Sequence, residues 1–442
     1  YKNSIANDFI RHGKINIQED FPGFKKELPF ELYRDNFGVI RHTFDIEKAK
    51  QTVNDFCIAG TGNNTTGDGS KENPLLSVAG VLAKASGLGL TNISIIFMDK
   101  IPHQDALLGT YDLSTFGKVV FKTENNSTVY LGRSPNNLVW TLDGNSYKTT
   151  VSAVLEALDI ANKDYRGVPK RLNKVESKEI CDATPNTFYV LGSDVWVHTF
   201  NGRQPNLKED FILVRNLAGI SFTLGNTELV MSNMFIPQQG TGTRKTDALK
   251  VTGGANSKLI LDNVKLSLGG LNSLATSKVG EVYSFDCTAT LAGSDGFNYH
   301  GRYPLVSNPY EFAFEYNCYS YENGLSKMGT NNATTAHDGM TMLRVNCVGY
   351  KCHGPQLADV NGCDSLNYDC VYYDATSGTV RTKAAFYFDE SAAVKKGKAV
   401  LVNCGGGGVD THSINSDGNI EIIVKKFQGN NFPEGLVLNV MQ

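Results

Sequence analysis

The sequence predicts an all-β chain, a right-handed single-stranded parallel β-helix (a solenoid) with a short N-terminal capping helix and an inserted segment. Three observations predict it. Asp or Asn followed by Cys recurs five times, as Asp286-Cys287, Asn317-Cys318, Asn346-Cys347, Asp369-Cys370 and Asn403-Cys404, with cysteines 31, 29, 23 and 34 residues apart. Asp262-Asn263 fills the same slot 24 residues before the first pair, with Asn in place of Cys. Ahead of four of the cysteines, alternate positions are apolar or aromatic: Tyr283 and Phe285, Phe312 and Phe314 with Tyr316, Leu343 and Val345, Val400 and Val402. That is one strand with one apolar face, repeated once per coil, and a strand register repeated at this length marks a solenoid.

Composition agrees and excludes several classes. Of 442 residues 44 are Gly and only 13 are Pro, which suits short strands joined by tight turns. A net charge of -3 and the lack of a basic run argue against a nucleic-acid partner. No stretch reaches the roughly 18 apolar residues of a membrane span, so no membrane insertion is expected. Nine cysteines form no CxxC, and five sit at one position of successive strands. Strung along an axis rather than converging, they read as reduced, structural thiols assembled in a reducing compartment. The chain starts at Tyr1 without a signal peptide, which reads as an excised or processed part of something longer.

Along the chain, residues 1–54 are polar with little periodicity and read as an N-terminal arm or linker. Gly67-Asp68-Gly69-Ser70 and Asn73-Pro74 then precede an amphipathic stretch at 75–85, with Leu75, Val78, Val81 and Leu82 spaced for a short helix. Such a helix covers the open end of a solenoid core. Strands are expected at 93–98, 119–122, 128–131 and 138–142. Residues 151–165 look helical and 164–174 form a basic loop, so about 144–180 reads as an insertion. A hairpin-like pair is expected at 187–190 and 195–199, closed by Gly192-Ser193-Asp194. The β-helix domain spans 55–430, its later coils running from Phe211, and 431–442 adds a C-terminal strand.

Counting back from each cysteine places Ser284, Glu315, Arg344 and Asn367 at minus three and Asp286, Asn317, Asn346 and Asp369 at minus one. On this register both columns face outward and offer amide, carboxylate and guanidinium groups to sugar hydroxyls. The aromatics Tyr299, Tyr303, Tyr319 and Tyr321 could stack on sugar rings. A cross-strand ion pair of Glu315 with Arg344 is the plainer reading of those two.

The richest segments are Ser294 to His300, Glu315, Asn331 to Gly339, and Asp359-Val360-Asn361-Gly362. Coils stack at about 4.8 Å, so carboxylates distant in sequence can lie within the roughly 5–10 Å that glycoside hydrolysis requires. Asp295, Glu315 and Asp338 are the acid, base or nucleophile candidates, with His300 and His337 assisting. Tyr299, Arg302, Asn317, Arg344, Asn346 and Asp359 are the substrate-binding candidates. No compact metal motif is present, GxSxG is absent, and the run Gly405 to Gly408 lacks the Lys-Ser/Thr of a phosphate loop. No metal and no cofactor are expected. His12, His42, His103, His198, His353 and His412 are scattered and receive no role.

Residues 55–430 resemble the pectate-lyase-like β-helix proteins, and among them the bacteriophage tailspike or capsular polysaccharide depolymerase type. The resemblance rests on Gly62-Asn63-Asn64 with the Gly-Asp-Gly-Ser and Asn-Pro opening, on the Asx-Cys coils, and on Asp295-Gly-Phe-Asn-Tyr-His300 and Thr335-Ala-His-Asp-Gly339. It implies a homotrimer on a virion tail, assembled in the bacterial host cytoplasm and acting at the cell surface. It also implies binding and cleavage of a bacterial capsular or cell-wall polysaccharide. The sequence departs from such tailspikes in lacking a virion-anchoring head and a clear trimer-forming domain after Asn430, and the acidic cluster of a calcium-dependent pectate lyase is not evident. Hydrolysis by paired carboxylates is the leading expectation. A polysaccharide lyase, a wall teichoic acid phosphodiester hydrolase and a non-catalytic glycan-binding receptor-recognition protein are the alternatives.

Overall fold

The computed structural model describes residues 12–99, 109–131, 138–205, 211–215, 219–237, 246–302, 311–326, 331–376, 383–389, 396–417, 420–429, 431–433, 436 and 438–440. Each coil contributes a strand to three parallel sheets in turn, and among the described residues these hold 12, 8 and 9 strands. We call them sheets 1, 2 and 3 in the order the chain visits them. One coil runs Glu281–Phe285 in sheet 1, Thr288–Thr290 in sheet 2 and Phe297–His300 in sheet 3. Its strands pair in register with Phe312–Tyr316, Tyr319–Tyr321 and Thr334–His337 of the next coil. This is the expected right-handed parallel β-helix. The helix Val78–Gly87 buries Val78, Val81 and Ala85 against the first coil, with Ser77 accepting from the Gly80 amide as N-cap.

The strand faces in sheet 1 are opposite to those expected. Val282, Ala313, Met342 and Ala399 join the cysteines in the solenoid interior, whereas Tyr283, Phe285, Phe312, Phe314, Tyr316, Leu343 and Val345 point outward. The reason lies in the Asx residue. Asp286, Asn317, Asn346, Asp369 and Asn403 all have φ between 51° and 55°. A left-handed residue breaks the two-residue alternation between strand and cysteine, so counting back by twos from the cysteine lands on the wrong face. Asp and Asn suit the position because their short polar side chains tolerate this backbone. They also bond to one another from coil to coil: the Asn263 amide donates to Asn233 at 2.7 Å, Asn403 to Asp369 at 2.7 Å, and Asn317 to Asp286.

The outward aromatic face is dry because the N-terminal segment covers it. Residues 12–49 are no free linker there. Strands His12–Lys14, Leu32–Arg34 and Ile40–His42 form an antiparallel sheet. From this segment Phe21, Phe24, Phe30, Leu32 and Ile40 pack on the outer residues of sheet 1. Arg34 clamps the segment down with a bidentate contact to Asp369 at 2.8 and 3.2 Å.

The stretch expected to be helical at 151–165 is instead the strand Val154–Lys163. It lies between Pro169–Arg171 and Phe211–Arg215 in an antiparallel three-stranded sheet. Residues 156–160 are all buried, Ala157 in one apolar cluster and Leu158 with Ile160 in another, and this packing on both faces of a strand overrides the helical composition. A second sheet runs antiparallel through Ser146–Thr150, Asp194–His198 and Thr187–Leu191, with Asn173–Lys174 added parallel at the last. Phe211 therefore belongs to these antiparallel layers, and the parallel ladder resumes at Ile220–Thr223, paired in register with Gly109–Asp112. Among the described residues, no helix is long and apolar enough to cross a membrane.

Candidate functional site

The inverted register moves half of the expected site into the interior. Arg344 is 0% exposed and Glu315 1%. Arg344 holds Asp359 through two bonds of 2.8 and 2.9 Å, and its Nε lies 3.7 Å from Glu315. Thr334 donates to Glu315 at 2.7 Å. Burial pushes the Glu315 carboxyl up to about 7, against the pull of the Arg344 charge. Tyr299 is equally buried, on the interior face of sheet 3. Glu315, Arg344, Asp359 and Tyr299 thus cannot touch a polymer outside; the first three form an ionic and hydrogen-bonded plug inside the solenoid, with Tyr299 buried on the interior face of sheet 3. The ion pair of Glu315 with Arg344 exists, but it crosses the core rather than a solvated face.

Other candidates are occupied by the fold. Asn317 and Asn346 do sit outside, yet they serve the left-handed corners, and the Asn346 amide donates to the Ile40 carbonyl at 3.1 Å under the N-terminal segment. Asp295 closes a turn: its carboxylate accepts from the Asn298 amide and the Asn332 N–H, both at 2.7 Å. Burial raises its carboxyl to about 6. It lies at the opposite end of Phe297–His300 from the histidine. Arg302 faces Glu311 with 2.7 Å between Nε and Oε1. Tyr319 and Tyr321 belong to the outer face of sheet 2, and Tyr303 lies outside the described residues, as does His103.

What the structure brings together is His300, His337 and Asp338. His300 and His337 are register partners on adjacent strands of sheet 3. Their rings stack at 4.3 Å with 3° between planes. His300 Nδ1 lies 3.3 Å from Asp338 Oδ2, and Asn361 donates to Asp338 Oδ1 at 3.2 Å. Asp338 has φ of 61°, so a left-handed turn folds its carboxylate back over the strand end. Burial, with the neighbouring His300 as the lesser cause, lowers the His337 imidazole to about 4 and keeps it neutral at pH 7. A stacked pair at this distance cannot carry two positive charges cheaply.

The same outer column holds residues that sequence reading missed. Beyond His337 the strand ends continue through Val360, Asp389 and Asp417, which are register partners. The Tyr387 hydroxyl, one alternate position back, donates to Asp417 and reaches Asp389 at 3.3 Å. The signal was present: Asn298-Tyr299-His300, Thr335-Ala336-His337, Tyr387-Phe388-Asp389 and Asn415-Ser416-Asp417 share a polar–x–titratable ending. The Asx-Cys ruler indexes sheet 1 and does not reach these strands. At about 4.8 Å per strand, the column runs roughly 20 Å along the solenoid axis. Among the described residues, no group of three or more His, Cys, Asp and Glu side chains is arranged to hold a metal ion.

No family model and no curated protein sequence matches the chain. Among solved structures, it is similar in fold to a glycoside hydrolase, with TM-score 0.49, 10% identity and coverage of 85% of this chain and 97% of that one. A pectate lyase aligns with TM-score 0.42 and 11% identity, over 88% of this chain and 74% of the other. A tailspike of an Acinetobacter baumannii bacteriophage, in complex with A. baumannii capsular saccharide, aligns with TM-score 0.26 and 11% identity over 81% and 68%.

Proposed function

We propose that this chain binds a bacterial surface polysaccharide along the outer face of sheet 3 and cleaves it by glycosidic hydrolysis. The observation that carries the reading is the column His300, His337, Asp389, Asp417 with Asp338 folded beside it: imidazoles and carboxylates on one outer face, at neighbouring coils. The His300–Asp338 couple would hold and pass one proton, and the Asp389 and Asp417 carboxylates bridged by the Tyr387 hydroxyl would supply the second acid–base or nucleophilic group. His337 and Asp389 stand two strands apart, about 10 Å between backbones. Asp338 follows His337 directly, so its carboxylate and that of Asp389 are the pair to which the roughly 6.5–9.5 Å separation of an inverting mechanism would apply. Glu315 and Asp295 drop out of the catalytic set, the first because it is interior and the second because its oxygens are taken.

A lyase is the second reading, and the neutral His337 favours it, since a base unprotonated at pH 7 can take the proton α to a uronate carboxylate. The motif resemblance of residues 55–430 supports a virion tail, a homotrimer of solenoids and assembly in the host cytoplasm as the setting. The test is incubation with a panel of capsular and wall polymers, followed by mass and ultraviolet analysis of fragments. Saturated fragments that vanish in Asp338→Asn and Asp389→Asn, with the fold intact, support hydrolysis; unsaturated, ultraviolet-absorbing fragments support the lyase. Binding without any fragment, or full activity in both variants and Asp417→Asn, overturns the site.

A further inference from the structure

A second cluster lies on the outer face of sheet 2, where the turn at 164–168 of the insertion crosses the ladder. Asp164 fixes this turn: it accepts from the Arg166 and Val168 amides at 2.8 and 3.0 Å and from the Tyr321 hydroxyl. Its two oxygens are therefore engaged. The turn sets the Arg166 guanidinium 3.7 Å over the Tyr319 ring, and Tyr165 meets the same ring edge-on at 6.3 Å. Tyr165 itself is largely exposed. Lys163 sits 5.0 Å over Tyr130, and the Lys265 amine passes close under Gly167.

Lys265, Thr288 and Tyr319 are register partners on successive strands, so the cations and the ring share one column. Among the described residues, none of Lys163, Arg166 and Lys265 makes an ion pair within 4 Å, and the Asp164 charge acts on Lys265 only as a lesser influence than burial, Lys163 and Arg166. Three buried donor atoms beside them also lack an acceptor: Arg166 Nε, Thr288 Oγ1 and Ser267 Oγ. Thr288 and Ser267 are fully shielded. Burial, and then the charges of Lys163 and Arg166, hold the Lys265 amine below its usual range. Buried donors without acceptors are costly, and crowded like charges add to the cost. One anion placed among them relieves both.

We propose that this cluster is an anion-binding subsite that takes the acidic group of a saccharide, a uronate carboxylate or a phosphate substituent, with Tyr165 beside it to stack on the sugar ring. It deepens the proposed function by making the polymer acidic, and it rests on that reading only for the identity of the sugar. The cationic donors select charge, while the exposed tyrosine, an apolar ring with a polar tip, selects a saccharide over a bare ion.

The test is titration of the whole chain with D-glucuronate, with inorganic phosphate and with D-glucose as the neutral control, read by calorimetry and tyrosine fluorescence. Glucuronate or phosphate binds and glucose does not, and added salt weakens binding. Arg166→Gln and Lys265→Met each weaken it about tenfold, as loss of a charge-assisted bond predicts. Tyr165→Ala, a surface change that leaves the fold intact, weakens glucuronate but not phosphate. Binding by glucuronate alone assigns a uronate and by phosphate alone a phosphorylated glycan. Absence of binding by either, or affinity unchanged in both cation variants, overturns the subsite. A chain that binds glucuronate but cuts no polymer refutes the cleavage reading and leaves this one standing.

Discussion

Replacing Glu315 by Gln separates the two accounts of this molecule most sharply. The carboxyl is fully buried, accepts from Thr334 and faces Arg344 at 3.7 Å, while Arg344 is already bidentate to Asp359. Its folded-state value is raised from 4.5 to about 7. The sign follows from linkage: the folded chain holds the proton more tightly than the unfolded one. Stability is therefore untouched below pH 4.5, falls as pH rises toward 7, and stays reduced above it. At about 1.4 kcal/mol per pH unit, the full cost at pH 8 is about 3 kcal/mol. Glutamine keeps the shape and the Thr334 bond without the charge. The variant should match the parent at pH 4 and exceed it by about 3 kcal/mol at pH 8. Hydrogen exchange of the amides in 312–316 and 341–345 at the two pH values reads this locally, and polymer cleavage should persist. A variant less stable at pH 8, or one that folds but loses cleavage, would refute the interior placement.

Other consequences of the structure can be checked in the same way. Arg344→Met strands the Asp359 carboxylate and should cost about 3–5 kcal/mol at pH 7, less in acid where that carboxylate takes a proton; denaturant titration at pH 5 and pH 8 measures the difference. Phe30→Ala opens a hole where its ring meets Phe314 at 5.1 Å and Tyr283 at 6.1 Å. A loss of about 3–5 kcal/mol is expected, with dye binding to the uncovered aromatic face. At Asn346, with φ of 55°, Val should cost about 1–3 kcal/mol and Gly far less, because only the former clashes in the left-handed region; thermal melts rank the two. His337→Gln should leave the melting curve flat where the parent loses stability as pH falls from 6.5 toward 4, since the folded state resists protonating that imidazole.

The candidate site was legible in part. His300, His337 and Asp338 are adjacent in space as their positions in successive coils imply. Asp389 and Asp417 went unnoticed because no cysteine marks the register of sheet 3. Glu315, Arg344 and Asp359 are charged residues in strands, which is rare enough to signal either function or burial. They proved to be buried, paired with one another.

The Asx-Cys repeat by itself determined the solenoid, the spacing of its coils and the inward thiols, because a period and a turn residue are properties of the chain. Which strand face is inside was decided only by the tertiary structure. Both faces of sheet 1 are apolar, one filled by Val282, Ala313 and Met342 and the other covered by the N-terminal segment through Phe24, Phe30 and Ile40. With two dry faces, alternation cannot say which is the core, and the left-handed Asx residue shifts the parity by one. Packing of a distant segment against the outer face settles the choice, and with it which charged residues can meet a substrate.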